Sequence, residues 1–112
     1  QTFYSPSACS LLLAHSSGRL FWLGNITDEN PNGNRPRYPF QVAEVDRETG
    51  LLLRDAIRVV DDRSPDESEL LTLSNFYARE DREMKGIALH MTRLFALKDG
   101  WKGDAYLYRI PV

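Results

Sequence analysis

Apolar residues in this chain recur in short alternating runs, broken every few positions by glycine, proline, asparagine or aspartate, and helical periodicity is nearly absent. A period of two places successive side chains on opposite faces of an extended strand, so the pattern predicts many brief antiparallel strands and an all-β fold. The first unit runs from Ser10 to His15, turns through Ser16, Ser17 and Gly18, and returns from Arg19 to Asn25. Two apolar runs around a short glycine-containing turn predict a β-hairpin.

The stretch from Ile26 to Pro39 holds Pro31, Pro36 and Pro39, together with Gly33 and four asparagine or aspartate residues. Proline cannot donate to a sheet ladder, so a long loop is expected, and loops of this length in compact domains are often functional. A second hairpin pairs Phe40 to Asp46 with Leu51 to Val60 across Arg47-Glu48-Thr49-Gly50. The polar stretch Asp61 to Glu69, with Pro65 inside it, then marks a boundary between two units. A third hairpin pairs Leu70 to Arg79 with Gly86 to Phe95. A last strand follows from Asp104 to Val112, with Ala105, Leu107 and Arg109 alternating against Tyr106, Tyr108 and Ile110. Four strands plus three is the expected count, with Gln1 to Tyr4 a further candidate.

At 112 residues the chain holds one domain at most. Its composition, 42% hydrophobic and 27% charged, is that of a packed water-soluble protein and not of a disordered one. A formal charge of -2, with both signs interspersed, leaves no basic stripe for a phosphate backbone, so nucleic acid is not an expected partner. Apolar runs such as Leu11 to Ala14 fall far short of the ~20 residues a membrane helix needs, and no charged start followed by an apolar run marks a signal peptide. The single cysteine, Cys9, excludes an internal disulfide and leaves the redox compartment open. The start at Gln1 fits a piece of a longer chain.

Several segments carry a resemblance to a known family: Gly18 to Ile26, Asn30 to Pro39, Leu73 to Asp81, and Leu89 to Arg93. Together they resemble the bacterial sialidase-like proteins with degenerate Asp-box repeats, and the likeness covers nearly the whole chain. The resemblance implies antiparallel four-stranded meanders equivalent to the last two blades of a six-bladed propeller. Residues 1–112 would form a single domain, with one blade-like unit over 1–62 and another over 63–112. Glu44-Val45-Asp46-Arg47-Glu48-Thr49-Gly50-Leu51-Leu52 looks like a weakened Asp box lacking its leading serine and closing aromatic residue. In such a turn the aspartate bonds turn amides and the glycine supplies a positive φ.

Sialidases hold a substrate carboxylate with arginines from different blades, because the guanidinium fork makes two parallel bonds to it. The resemblance places Arg37 as the substrate-facing arginine, with Tyr38 beside it, although a solvated loop arginine is an equally good reading. The family's tyrosine nucleophile should open the first strand of the last blade, where this chain has Leu73, Ser74 and Asn75, with Tyr77 displaced from that place. Two further arginines, an acid aspartate and an activating glutamate would have to come from blades this chain lacks. The expectation is therefore a relative of a glycosidase without a complete catalytic set, binding an acidic sugar through Arg37, Tyr38 and Tyr77. Two blades cannot close a ring, so a homo-oligomer is expected to cover the open faces. The alternative is a small stand-alone β-domain that binds another protein through an edge strand. Family members are often secreted or periplasmic.

Asp28, Asn30, Asn32 and Gly33 reproduce the opening of a calcium loop, but Pro39 stands where the bidentate carboxylate belongs and Pro31 stiffens the ligand region. A turn-rich loop without metal is the stronger reading, and no cofactor is expected. His15 and His90 are the only histidines, too few for a histidine-rich zinc site, and His90 reads as a structural residue. Phe21, Trp22, Phe76, Tyr77, Trp101, Tyr106 and Tyr108 are assigned mainly to packing, with Trp22 and Trp101 left open as sugar-stacking rings.

Overall fold

The computed structural model describes residues 10–26, 38–65, 67, 71–73, 76–94 and 105–112, with the main chain alone at Arg54. Seven strands and no helix occur among them: β1 (Leu11–Ala14), β2 (Leu20–Asn25), β3 (Phe40–Val45), β4 (Leu52–Asp61), β5 (Phe76–Glu80), β6 (Ile87–Thr92) and β7 (Ala105–Ile110). They form two antiparallel meanders, a four-stranded sheet in the order β1-β2-β3-β4 and a three-stranded sheet in the order β5-β6-β7. The all-β antiparallel expectation therefore holds, and neither a closed sheet nor a propeller is seen among the described residues. The expected strand Gln1 to Tyr4 lies outside them.

Local turn chemistry sets each hairpin. Gly18, at φ 91°, closes the β1–β2 turn, where its N–H donates to the His15 carbonyl at 3.0 Å. In the β3–β4 turn the Asp46 carboxylate accepts the Glu48 N–H at 2.9 Å and Gly50 takes φ 74°. That is the division of labour expected of an aspartate and a glycine in a tight turn. The β5–β6 turn uses Asp81 the same way, its Oδ1 accepting the N–H groups of Glu83 and Met84. A bridge between Thr72 and Leu94 extends this pairing beyond the named strands.

The two sheets share one core. Phe21, Leu23, Phe40 and Val42 from the first pack with Ala78, Ile87, Leu89, Met91 and Ile110 from the second, and Leu71 and Leu73 join them. The phase expected for β7 holds: Ile110 and Tyr108 face this core, while Leu107 and Arg109 face out. Two polar seams also tie the sheets together. At one, buried His15 donates from Nε2 to the Lys85 carbonyl at 2.8 Å, which leaves Nδ1 to accept from the Ser17 hydroxyl at 2.7 Å. Ser16 adds bonds from N–H and hydroxyl to the Glu80 carboxylate at 2.7 and 2.6 Å.

Candidate functional site

Arg37, Asp28, Asn30 and Asn32 lie outside the described residues, and the structure separates the two remaining expected residues. Tyr38 is half-buried against the shared core, with the Arg63 guanidinium 5.9 Å from its ring centre. Arg63 also donates from Nε to the Glu67 carbonyl at 3.1 Å. Tyr77 stands on the opposite side of the second sheet, 63% exposed.

Tyr38 belongs to the second seam, where β4 ends and Tyr108 of β7 and the residue after β6 reach its end. Arg93 pairs with the Asp61 and Glu67 carboxylates, and the Tyr108 hydroxyl donates to the same Asp61 oxygen. Burial and the bond to Asp61 push the Tyr108 hydroxyl well above the ordinary phenol range. Burial alone would raise Glu67 too, but the Arg93 bond, with the Ser64 N–H, brings it below the ordinary carboxylate range. A tyrosine held this firmly in its protonated form is the opposite of an activated nucleophile. The seam is a clasp between sheets. It escapes sequence reading because the partners of its ion pairs and of the Tyr108 hydroxyl bond lie 26 to 47 residues apart with no short-range motif.

The outward faces differ sharply. On the second sheet the pairing aligns Tyr77, His90 and Leu107 in one cross-strand row and Arg79, Ala88 and Arg109 in the next, with Thr92 and Ala105 beyond. Tyr77 and His90 contact with ring centres 6.2 Å apart, and Leu107 is 51% exposed. Both arginines are exposed and flank Ala88, which is only 3% exposed. Two strand spacings put their Cα atoms roughly 10 Å apart. These rows contain no carboxylate, although the chain as a whole carries a formal charge of -2. The result is an aromatic and apolar strip beside a pair of guanidinium groups. Tyr106, assigned to packing, is exposed, as is Tyr77, which carried both a packing and a substrate-binding expectation; His90, expected to be a satisfied structural histidine, is exposed as well. Period-two phase decides this for Tyr77 and His90, whereas Tyr106 shares the core-side phase of Tyr108 and is exposed near the start of β7. Tyr77, His90 and Leu107 fall on the face opposite Ala78, Leu89 and Tyr108.

On the first sheet the outward rows are Leu12-Trp22-Ala43-Ile57, Ala14-Leu20-Val45-Leu52 and Gly24-Gln41-Val59. None of these positions is charged. The one polar side chain, Gln41, is consumed by the main chain of Ile26, accepting its N–H at 2.7 Å and donating to its carbonyl at 3.1 Å. Antiparallel sheets with a solvated face usually alternate apolar and polar, and the outward rows of this sheet do not.

Among the described residues no group of three or more histidine, cysteine, aspartate or glutamate side chains is placed to hold a metal ion. No family model, curated protein or solved structure matches this chain.

Proposed function

We propose that the chain is a non-catalytic binding module whose outward face on the three-stranded sheet takes an acidic carbohydrate. The observation that supports it is the pairing of the Tyr77-His90-Leu107 row with the carboxylate-free Arg79-Ala88-Arg109 row. An exposed aromatic ring and a leucine offer an apolar platform for the C–H face of a sugar. The guanidinium forks beside them suit a carboxylate. Tyr77 keeps the substrate-binding role expected of it, and the arginine partners are Arg79 and Arg109 on this face. The resemblance to sialidase-like propellers is compatible with such a role and contributes no catalytic step.

Titration with hyaluronan oligosaccharides and with neutral dextran of matched length tests this. Binding of the acidic chain alone is expected, weakened by salt and lost in Tyr77→Ala and in the Arg79→Ala, Arg109→Ala pair. Equal binding of dextran, or indifference to the double arginine change, would overturn it.

The uncharged rows of the first sheet favour a second, compatible reading, in which a second copy of the chain covers that face as another layer. Sedimentation should then detect an assembly larger than one chain that Leu12→Lys and Val59→Lys dissociate. A monomer at every concentration would sink this reading and leave the first untouched.

A further inference from the structure

A cavity of about 360 Å³ opens between the inner face of the first sheet and the end of the second, away from the outward face discussed above. Phe21, Val42, Ala56 and Val112 make it largely apolar. Its volume falls in the range of small-molecule pockets, which combine apolar walls with a few placed polar groups. Four charged residues stand around it, and they are not equivalent. Arg19 and Glu44 neutralise each other at 2.8 Å, with the Arg19 guanidinium also 5.0 Å over the Phe21 ring. Arg58 donates to the Pro111 carbonyl at 2.7 Å, which leaves its charge without a carboxylate among the described residues. Asp55 is exposed and enters no hydrogen bond or ion pair among them. Among the described residues, Asp55 and Arg58 therefore bring to the cavity an anion and a cation that no oppositely charged side chain pairs.

We propose that this cavity binds a short apolar peptide as its zwitterion, a dipeptide with aliphatic side chains being the fitting size. Asp55 and Arg58, three residues apart on β4 and at most about 10 Å apart along the chain, both line the cavity, because the register shift opposite Ala43 to Val45 breaks the strict alternation of faces there. The long Arg58 side chain shortens that span to the distance between the ends of a dipeptide. The ammonium meets Asp55, the carboxylate meets the guanidinium fork of Arg58, and the side chains lie on Phe21 and Val42. A neutral apolar ligand would leave both charges unanswered, and a singly charged one would leave one.

The experiment titrates the full chain with leucyl-leucine, N-acetyl-leucyl-leucine and leucyl-leucinamide while following the amide resonances of Phe21, Val42, Ala56 and Val112. Leucyl-leucine is expected to shift these signals and to bind about ten- to hundredfold tighter than either blocked analogue, the range for one charge-assisted hydrogen bond. Asp55→Asn, an exposed change that leaves the fold intact, should weaken leucyl-leucine and the amide but leave the acetyl analogue unchanged. Arg58→Gln should show the reverse pattern. Equal binding by all three peptides, absence of shifts at the solubility limit of leucyl-leucine, or indifference of leucyl-leucine to Asp55→Asn would each overturn the proposal.

Discussion

The Tyr108 hydroxyl on β7 donates to the carboxylate of Asp61 at the end of β4, joining the outer strands of the two sheets across 47 residues of sequence. Asp61 also receives Arg93, which reaches on to Glu67. One guanidinium thus bridges two carboxylates while a phenol satisfies a remaining lone pair. Breaking a partly buried pair by removing one member strands the other, whereas losing one neutral donor is cheaper. Tyr108→Phe should therefore cost about 1 kcal/mol. Arg93→Met should cost about 3 kcal/mol, since two carboxylates then lie unpaired beside the core. Urea denaturation of both variants and of the double variant checks this, and the double variant should fall short of the sum.

The pH profile follows from the same groups. Tyr108 sits above its ordinary value of 10.0, held there by burial and by the Asp61 bond. A raised folded value means that the folded state keeps the proton after the unfolded chain has released it. The contribution is complete below about pH 10 and declines as the pH climbs past it. Glu67, Glu44 and Glu80 are shifted the other way, below the ordinary 4.5. Burial opposes the Glu67 shift and is outweighed by Arg93, while hydrogen bonds from Arg19 and Ser16 lead for Glu44 and Glu80. Their contribution is present above about pH 4.5 and declines on acidification. Urea midpoints measured across pH should fall on both flanks, and Tyr108→Phe should flatten the alkaline flank alone.

Much of this was legible from residue order. Gly18 and Gly50 each closed a turn between apolar runs, and period-two alternation assigned Tyr108 and Ile110 to one face of β7 and Leu107 and Arg109 to the other. Tyr77 is exposed because aromatic character favours a strand without saying which face of it is buried, whereas Tyr106 shares the core-side phase of Tyr108 and is exposed near the start of β7. The electrostatic contrast between the sheets was equally out of reach, since it requires knowing that Arg79 and Arg109 lie in one row across Ala88. Local spacing cannot reveal a partner delivered by another hairpin, which is why His15, bonded to Lys85 seventy residues away, showed no sign of its role.

Three glycines should respond to alanine for different reasons. At Gly86 an added Cβ would lie 2.2 Å from the Ile110 carbonyl oxygen, and a backbone atom in a paired strand cannot retreat. Gly86→Ala should cost about 3 kcal/mol through loss of the β6–β7 pairing. At Gly24 the obstacle is the Trp22 ring, 2.7 Å away, a side chain on the outward face that can swing aside. Gly24→Ala should cost about 1 kcal/mol and change the Trp22 ring environment. Gly18 meets nothing within 4 Å, so only its φ of 91° resists, and Gly18→Ala should cost about 1 kcal/mol without a packing signature. Thermal denaturation with side-chain resonances of Trp22 and Ile110 separates the three.

Leucine truncations measure which face is core. Leu89 is fully buried at the centre of the β6 inner face, among Phe40, Ile87 and Met91 in the shared cluster, whereas Leu107 pairs with its neighbour His90 on the outward side. Removing a buried leucine side chain loses its transfer energy and leaves a cavity that the two facing sheets cannot close without separating. Leu89→Ala should therefore cost about 3 kcal/mol. Leu107→Ala removes surface already in water and should stay within about 0.5 kcal/mol. If the outward face is a sugar platform, the same Leu107→Ala change should weaken hyaluronan binding severalfold while the urea midpoint stays in place. A drop in both together would assign Leu107 to packing and take it out of the binding surface.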